Sequence, residues 1–220
     1  MRTYLIAAAV LLAASGRASG QEPSGKPLTR ADTHFVIGWQ NLKKEQPGPQ
    51  RYDNWVNGIF YGGAGAGWYW TDNLKTQVDF GAGTRGHQYR YEPIVINGQT
   101  TGVSSQFHVR QQSLAVSQQY QFFRNQWFHP HVGAGVDIAR ETTTEEYSPI
   151  FVFDPITRTS RQLESPRSEG PEHRTIARPF AEVGFKAYMT RRAFFTTDTR
   201  LMYRNGLDEV LFRLGFGIDF

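Results

Sequence analysis

Residues 209–220 read Glu-Val-Leu-Phe-Arg-Leu-Gly-Phe-Gly-Ile-Asp-Phe, and two kinds of residue alternate through them. Val210, Phe212, Leu214, Phe216, Ile218 and Phe220 fall on one parity; Glu209, Leu211, Arg213, Gly215, Gly217 and Asp219 fall on the other. An extended chain sends successive side chains to opposite sides, so the stretch is a strand with one greasy and one polar face. Removing each large apolar side chain from Phe212 onward from water is favourable by roughly 1.5–3 kcal/mol. With the strand turned over, Arg213 would sit in hydrocarbon at a cost of roughly 2–4 kcal/mol at the midplane of a bilayer. A one-residue slip loses on both counts, so the facing is decided.

Working outward, the same period recurs in segments near 33–42, 56–70, 74–96, 99–122, 127–141, 174–189 and 193–204, which makes eight with 209–220. Each is long enough for the ~9–11 residues of a tilted transmembrane strand. In the second, Phe60, Ala64, Ala66, Trp68 and Trp70 alternate with Tyr61, Gly63, Gly65, Gly67 and Tyr69. In the fifth, Val132, Ala134, Val136 and Ile138 oppose His131, Gly133, Gly135 and Asp137. The fourth changes parity between Phe107-Val109 and Leu114-Val116, which predicts a β-bulge near Arg110 to Gln112.

The connections differ in length. Thr71-Asp72-Asn73, Phe123-Arg124-Asn125-Gln126 and Thr190-Arg191-Arg192 are tight turns. Lys43 to Trp55 and Thr142 to His173 are long, and Asn205 to Asp208 is short. Asn97-Gly98, between Ile94-Val95-Ile96 and Gln99-Thr100-Thr101, is a type I′ hairpin signal that carries strands three and four out as a ribbon. Phe151 to Pro155 forms a candidate second ribbon, and the rest of that loop, with Pro166 and Pro171, reads as solvated chain. Short turns on one side and long loops on the other predict an all-β, eight-stranded antiparallel up-and-down transmembrane β-barrel over 33–220. Both termini lie on the short-turn side, which is expected to face the periplasm.

The first twenty residues have their own pattern. A basic start at Arg2, an apolar run from Leu5 to Ala14 and Ala18-Ser19-Gly20 before Gln21 form the three parts of a secretory signal peptide. Residues 21–32 read as a flexible leader. With no cysteine there is no disulfide framework and no thiolate chemistry. The formal charge of +4 is too small for a nucleic-acid partner to be expected.

The signal sequence, the eight alternating segments and the terminal Phe220 together resemble the small eight-stranded bacterial outer-membrane barrels. These are the OmpA transmembrane domain, OmpX and OmpW-like proteins. The resemblance rests on pattern and covers nearly all of 33–220. It implies an outer-membrane location with long loops outside. It also implies lipid and lipopolysaccharide as surroundings, the barrel-assembly machinery as a partner during biogenesis, and a monomer. Phe216, Ile218 and Phe220 then look like the assembly signal of that family. No peptidoglycan-binding domain follows the last strand, so cell-wall tethering is not expected.

Ten charged residues are expected to face the lumen: Asp79, Arg85, Asp137, Arg178, Glu182, Lys186, Asp198, Arg200, Glu209 and Arg213. An eight-stranded barrel is filled by side chains, and buried charge must be paired, so these form an interior polar network. The role expected is structural or surface interaction. The alternatives are a narrow porin-like conduit, a lipid A-modifying enzyme on the same barrel, and a soluble lipocalin-like binder with the greasy parity inside. Ser104, Ser105, Ser113, Ser117 and His108 share segment four, but no oriented nucleophile and base stand out, so no enzyme activity is expected. Trp68, Trp70, Phe122, Trp127, Phe128 and Tyr188 cluster beside the short turns as an aromatic girdle. His129 and His131 share a face without a third ligand, so neither metal nor cofactor is expected.

Overall fold

The computed structural model describes residues 31–44, 55–96, 98–122, 127–154 and 156–220. The signal peptide, most of the leader and the 123–126 turn lie outside the described residues. Eleven strands follow one another: β1 (Ala31–Lys43), β2 (Trp55–Tyr69), β3 (Leu74–Gly83), β4 (Gly86–Ile96), β5 (Gln99–Gln121), β6 (Phe128–Tyr147), β7 (Ile150–Asp154), β8 (Thr159–Glu164), β9 (Arg167–Tyr188), β10 (Ala193–Tyr203) and β11 (Leu207–Asp219).

All pairings are antiparallel, and the ring runs β1-β11-β10-β9-β6-β5-β3-β2 and back to β1. That is the expected eight-stranded barrel. The seam is complete: β1 pairs with β11 from Asp32↔Asp219 to Leu42↔Glu209. Ala31 and Phe220 exchange backbone hydrogen bonds at 3.2 and 3.0 Å beyond it. The first strand therefore starts at Ala31, two residues before the predicted boundary, and Asp32 belongs to the barrel wall rather than to a leader.

The apolar parity faces outward. Phe35 is 74% exposed, Phe80 60%, Val183 56% and Phe216 59%, while Arg178, Arg200 and Arg213 are fully buried. In water that distribution would be inverted; against hydrocarbon it is the stable one. The greasy side of β11 does not gather round a cavity, and the lipocalin-like alternative falls with it. Trp68, Trp70 and Trp127 are exposed near the short turns, as a girdle requires, and Trp39 stacks on Phe212 at 6.4 Å farther up the belt.

Three expectations are corrected. β5 pairs with β6 in unbroken register from Ser105↔Tyr147 to Gln121↔His131, so β5 itself carries no bulge; the irregularity opposite 110–112 is on its other edge, where four steps from Ala82 to Gly86 face three from Gln112 to Val109. The parity change instead reflects contents: Val109 points inward and joins Leu42, Val56 and Ile59 in an apolar cluster, with Phe107 packed against it. A bulge lies in β2, where the register to β1 shifts between Gln40 and Leu42 and Gly58 takes a φ of +74°. Next, the predicted segment 74–96 is two strands broken at Thr84-Arg85, with β3 ending at Ala82↔Gln112 and β4 beginning at Gly86↔Val109 on the same neighbour. Lastly, Arg167 to His173 is strand, not solvated loop: β9 pairs with β6 up to Tyr147↔Arg167.

β5, β6 and β9 have 23, 20 and 22 residues, about twice what a bilayer needs. With β4 they rise beyond the apolar belt as a four-stranded wall. The Ile96↔Gln99 pair with Gly98 at φ +78° closes the expected two-residue hairpin, and β7 with β8 makes the second ribbon. There the Ile156 amide donates to Asp154 at 2.9 Å, which holds that carboxyl below its ordinary range.

A belt position and a rim position should respond differently to charge. Val183→Arg is expected to destabilise the refolded barrel by roughly 2–4 kcal/mol, and Asn41→Arg, near the top of the belt, by about 0–1 kcal/mol. Urea unfolding in lipid vesicles measures both, and equal losses would contradict the placement of the belt.

Candidate functional site: the filled lumen

The inward parity stacks side chains in layers from the short-turn end upward. In the lowest, Lys186 donates to Asp32 at 3.1 Å and to Asp219 at 2.5 Å, while Lys75 donates to Asp32 at 3.3 Å. Tyr69 donates its hydroxyl to Asp32 at 2.9 Å, and Tyr188 donates to Asp219. The Lys186 ammonium also lies 3.7 Å from the centre of the Phe194 ring. Two cations thus face two carboxylates.

The second layer is centred on Asp79. It accepts from Arg200 and, at 2.9 Å, from Gln77, and lies 2.7 Å from His34 Nε2 and 3.3 Å from Arg213. Arg200 and Glu182 are register partners joined at 2.9 Å. Arg213 and Asp198 are register partners joined by two parallel bonds of 2.8 and 2.9 Å. The planar guanidinium suits a carboxylate approached in this way. Glycines make the space: a Cβ on Gly65 would stand 2.2 Å from Asp79 Oδ1, and one on Gly81 would stand 1.9 Å from the Tyr61 hydroxyl.

Above lies an apolar layer of Val36, Tyr61, Ala115, Phe180, Met202 and Leu211. A third ionic layer follows, in which Arg178 reaches Asp137 at 2.8 Å, Glu209 at 2.7 Å and Asp208 at 3.2 Å. Gln40 and Gln111 donate to Glu209 at 2.8 and 3.1 Å. The cluster of Leu42, Val56, Ile59 and Val109 sits over it, and Lys44 meets Glu141 at 2.6 Å near the rim. An interior void of about 10 Å³, lined by His34, Lys75, Gln119, His131 and Lys186 among others, has room for about one water.

Nine of the ten predicted lumen charges are in these layers. Arg85 is not: it stands on the outer face, half exposed, 2.8 Å from Glu146. Its alternation is counted across the Thr84-Arg85 break, where the parity of 74–83 no longer applies. Tyr188, expected in the girdle, turns inward to Asp219. Asp219 and Gln77 share the polar parity of their segments and do face the lumen, although they are not among the ten charges; His34, Lys75 and Gln119 are reached by continuing the period to the segment ends, and Asp32 only by extending β1 to Ala31. His131 is buried within the lumen while His129 meets the Tyr188 ring at 5.3 Å. Ser104 and His108 are four residues apart on one extended strand, about 13 Å by its rise.

No protein-family model matches the chain, and no curated protein matches it. Solved structures do. Neisserial surface protein A superposes with a TM-score of 0.51 at 12% identity, over 88% of this chain and 98% of that one. The outer membrane protein OprG from Pseudomonas aeruginosa superposes with a TM-score of 0.50 at 14% identity, over 87% and 97%. The chain has the fold of an eight-stranded transmembrane β-barrel. Within that class it has the architecture of the small outer-membrane barrels, and at these identities the likeness is one of fold.

Removing one partner of a buried pair strands the other, which costs about 3–5 kcal/mol. Arg213→Met is expected to lower barrel stability by that amount. Combining it with Asp198→Asn should cost less than the two single losses added, since each alone leaves the other's group unmatched. Urea midpoints of the four proteins test this, and strict additivity would mean that the pair is not coupled.

Proposed function

We propose that the protein is an integral outer-membrane barrel with a structural and surface-interaction role, its lumen closed to solutes. The observation that carries the reading is the stack of three ionic and two apolar layers across the lumen, each tied across staves. Eight strands enclose an interior that side chains can fill, and here they fill it. An open conduit would need a continuous polar path, and Tyr61, Phe180, Leu211 and Met202 interrupt one.

The asymmetry of the connections supports an orientation with termini and short turns in the periplasm and the wall of β4, β5, β6 and β9 outside the cell. That wall is the part built for contact, since it carries exposed side chains on a rigid sheet well clear of the belt. Phe216, Ile218 and Phe220 lie outward on the last strand, which supports their role as the assembly signal. On this reading the protein acts without catalysis; Ser104 and His108, four residues apart on one extended strand, do not form a nucleophile and base.

Carbonate extraction of envelopes and planar-bilayer recording of the refolded barrel test the two halves separately. The protein is expected to stay with the membrane and to show no steady conductance. Stable openings would overturn the closed lumen, and release by carbonate would overturn the membrane location.

A further inference from the structure

The break between β3 and β4 leaves a groove of about 610 Å³ on the outside of the barrel. On its β2 side the groove is closed from the lumen. The Phe60 amide donates to Thr84 Oγ1 at 3.0 Å, and the Thr84 amide donates to the Phe60 carbonyl at 2.8 Å, so the β2 ladder is sealed across it. Its floor is apolar, formed by Phe60, Ala82 and Gly62, and its upper wall carries Arg85, His108 and Arg110.

Two observations say what would lie there. The floor continues downward into the belt through register neighbours Phe80↔Leu114 and Leu114↔Ile138, all outward-facing and exposed. The upper wall is cationic: Arg110 has no ion-pair partner among the described residues, and Arg140, on the outer face of β6, lies in the adjoining register row. Glu146 is the nearby acid; it holds Arg85 at 2.8 Å and lies 3.5 Å from His108. A ligand matching both halves has an anionic head above and hydrocarbon below.

We propose that this groove binds one phosphorylated lipid of the surrounding leaflet, the phosphate on Arg85 and Arg110 and an acyl chain along Phe60 and Ala82 toward Phe80. Arginine forks match phosphate oxygens, and cationic side chains at a membrane surface hold anionic headgroups. The inference rests on the membrane reading above and adds to it a place and a chemistry: a fixed lipid site at the strand break rather than a uniform lipid annulus.

The test uses the refolded barrel in phosphatidylcholine vesicles containing a trace of spin-labelled phosphatidic acid or, in parallel, spin-labelled phosphatidylcholine. Flotation with the vesicles first confirms insertion; a barrel that does not float overturns the membrane reading and this site with it. The native protein is expected to immobilise the phosphatidic acid label in preference to the phosphatidylcholine label. Arg85→Ala with Arg110→Ala should reduce that preference by about fivefold or more, while Arg191→Ala with Arg192→Ala at the exposed short turn should leave it intact. Heat-modifiable migration confirms that each variant is folded. The proposal is overturned if the groove variant keeps the full preference, or if the short-turn variant loses as much. It is overturned equally if millimolar inorganic phosphate abolishes the preference, which would mean a site for free anions rather than for a lipid.

Discussion

In hydrocarbon no backbone amide or carbonyl can be left without a partner, and that constraint forces the sheet to close. The β1–β11 seam meets it by pairing from Asp32 to Leu42 without interruption. Once the ring has eight staves, its bore is too narrow to hold bulk water and too wide to be left empty. Everything inside then has to satisfy itself. The charges must find opposite charges across the bore, and the glycines of the inward parity must yield volume to the long side chains opposite them.

The layered interior shows how this was met. Charges are not spread along the axis but gathered into sets, each a carboxylate group around one or two cations, with apolar layers between. Such pairs add little net stability over a well-packed apolar filling. What they add is definition. Arg213 can meet Asp198 with two parallel bonds in only one relative setting of β10 and β11, and Arg200 can meet Glu182 in only one setting of β9 and β10. The ionic layers thereby reinforce a register that the greasy exterior already favours.

Most of this was legible in the sequence because a strand repeats every two residues and lipid tolerates no error in that repeat. The facing of β11, the short turns and nine of ten interior charges follow from alternation alone. The departures have physical causes. Alternation carries no information across the Thr84-Arg85 break, where Arg85 turns out. It also cannot distinguish a greasy residue facing lipid from one packed in the upper lumen, and Phe107 and Val109 belong to the second kind. The strand character of 167–173 was hidden because charge and proline look like solvated chain. Pairing with β6 makes the segment a wall above the belt, where polar residues on both faces are permitted. His34, Gln77 and Gln119 carry no fixed charge, so a search by charge passes over them.

The interior contacts join residues that are very far apart in the chain: Gln40 with Glu209, Lys186 with Asp32, Arg200 with Asp79. None of these can form from a local hairpin. During biogenesis, a partly built sheet lacking its last stave would hold Asp79 without Arg213 and Lys186 without Asp219. Each such charge would then have to be met by water. The interior is therefore fully paired only once the two ends of the chain meet along the β1–β11 seam, so closing the ring and neutralising its contents rest on the same contact.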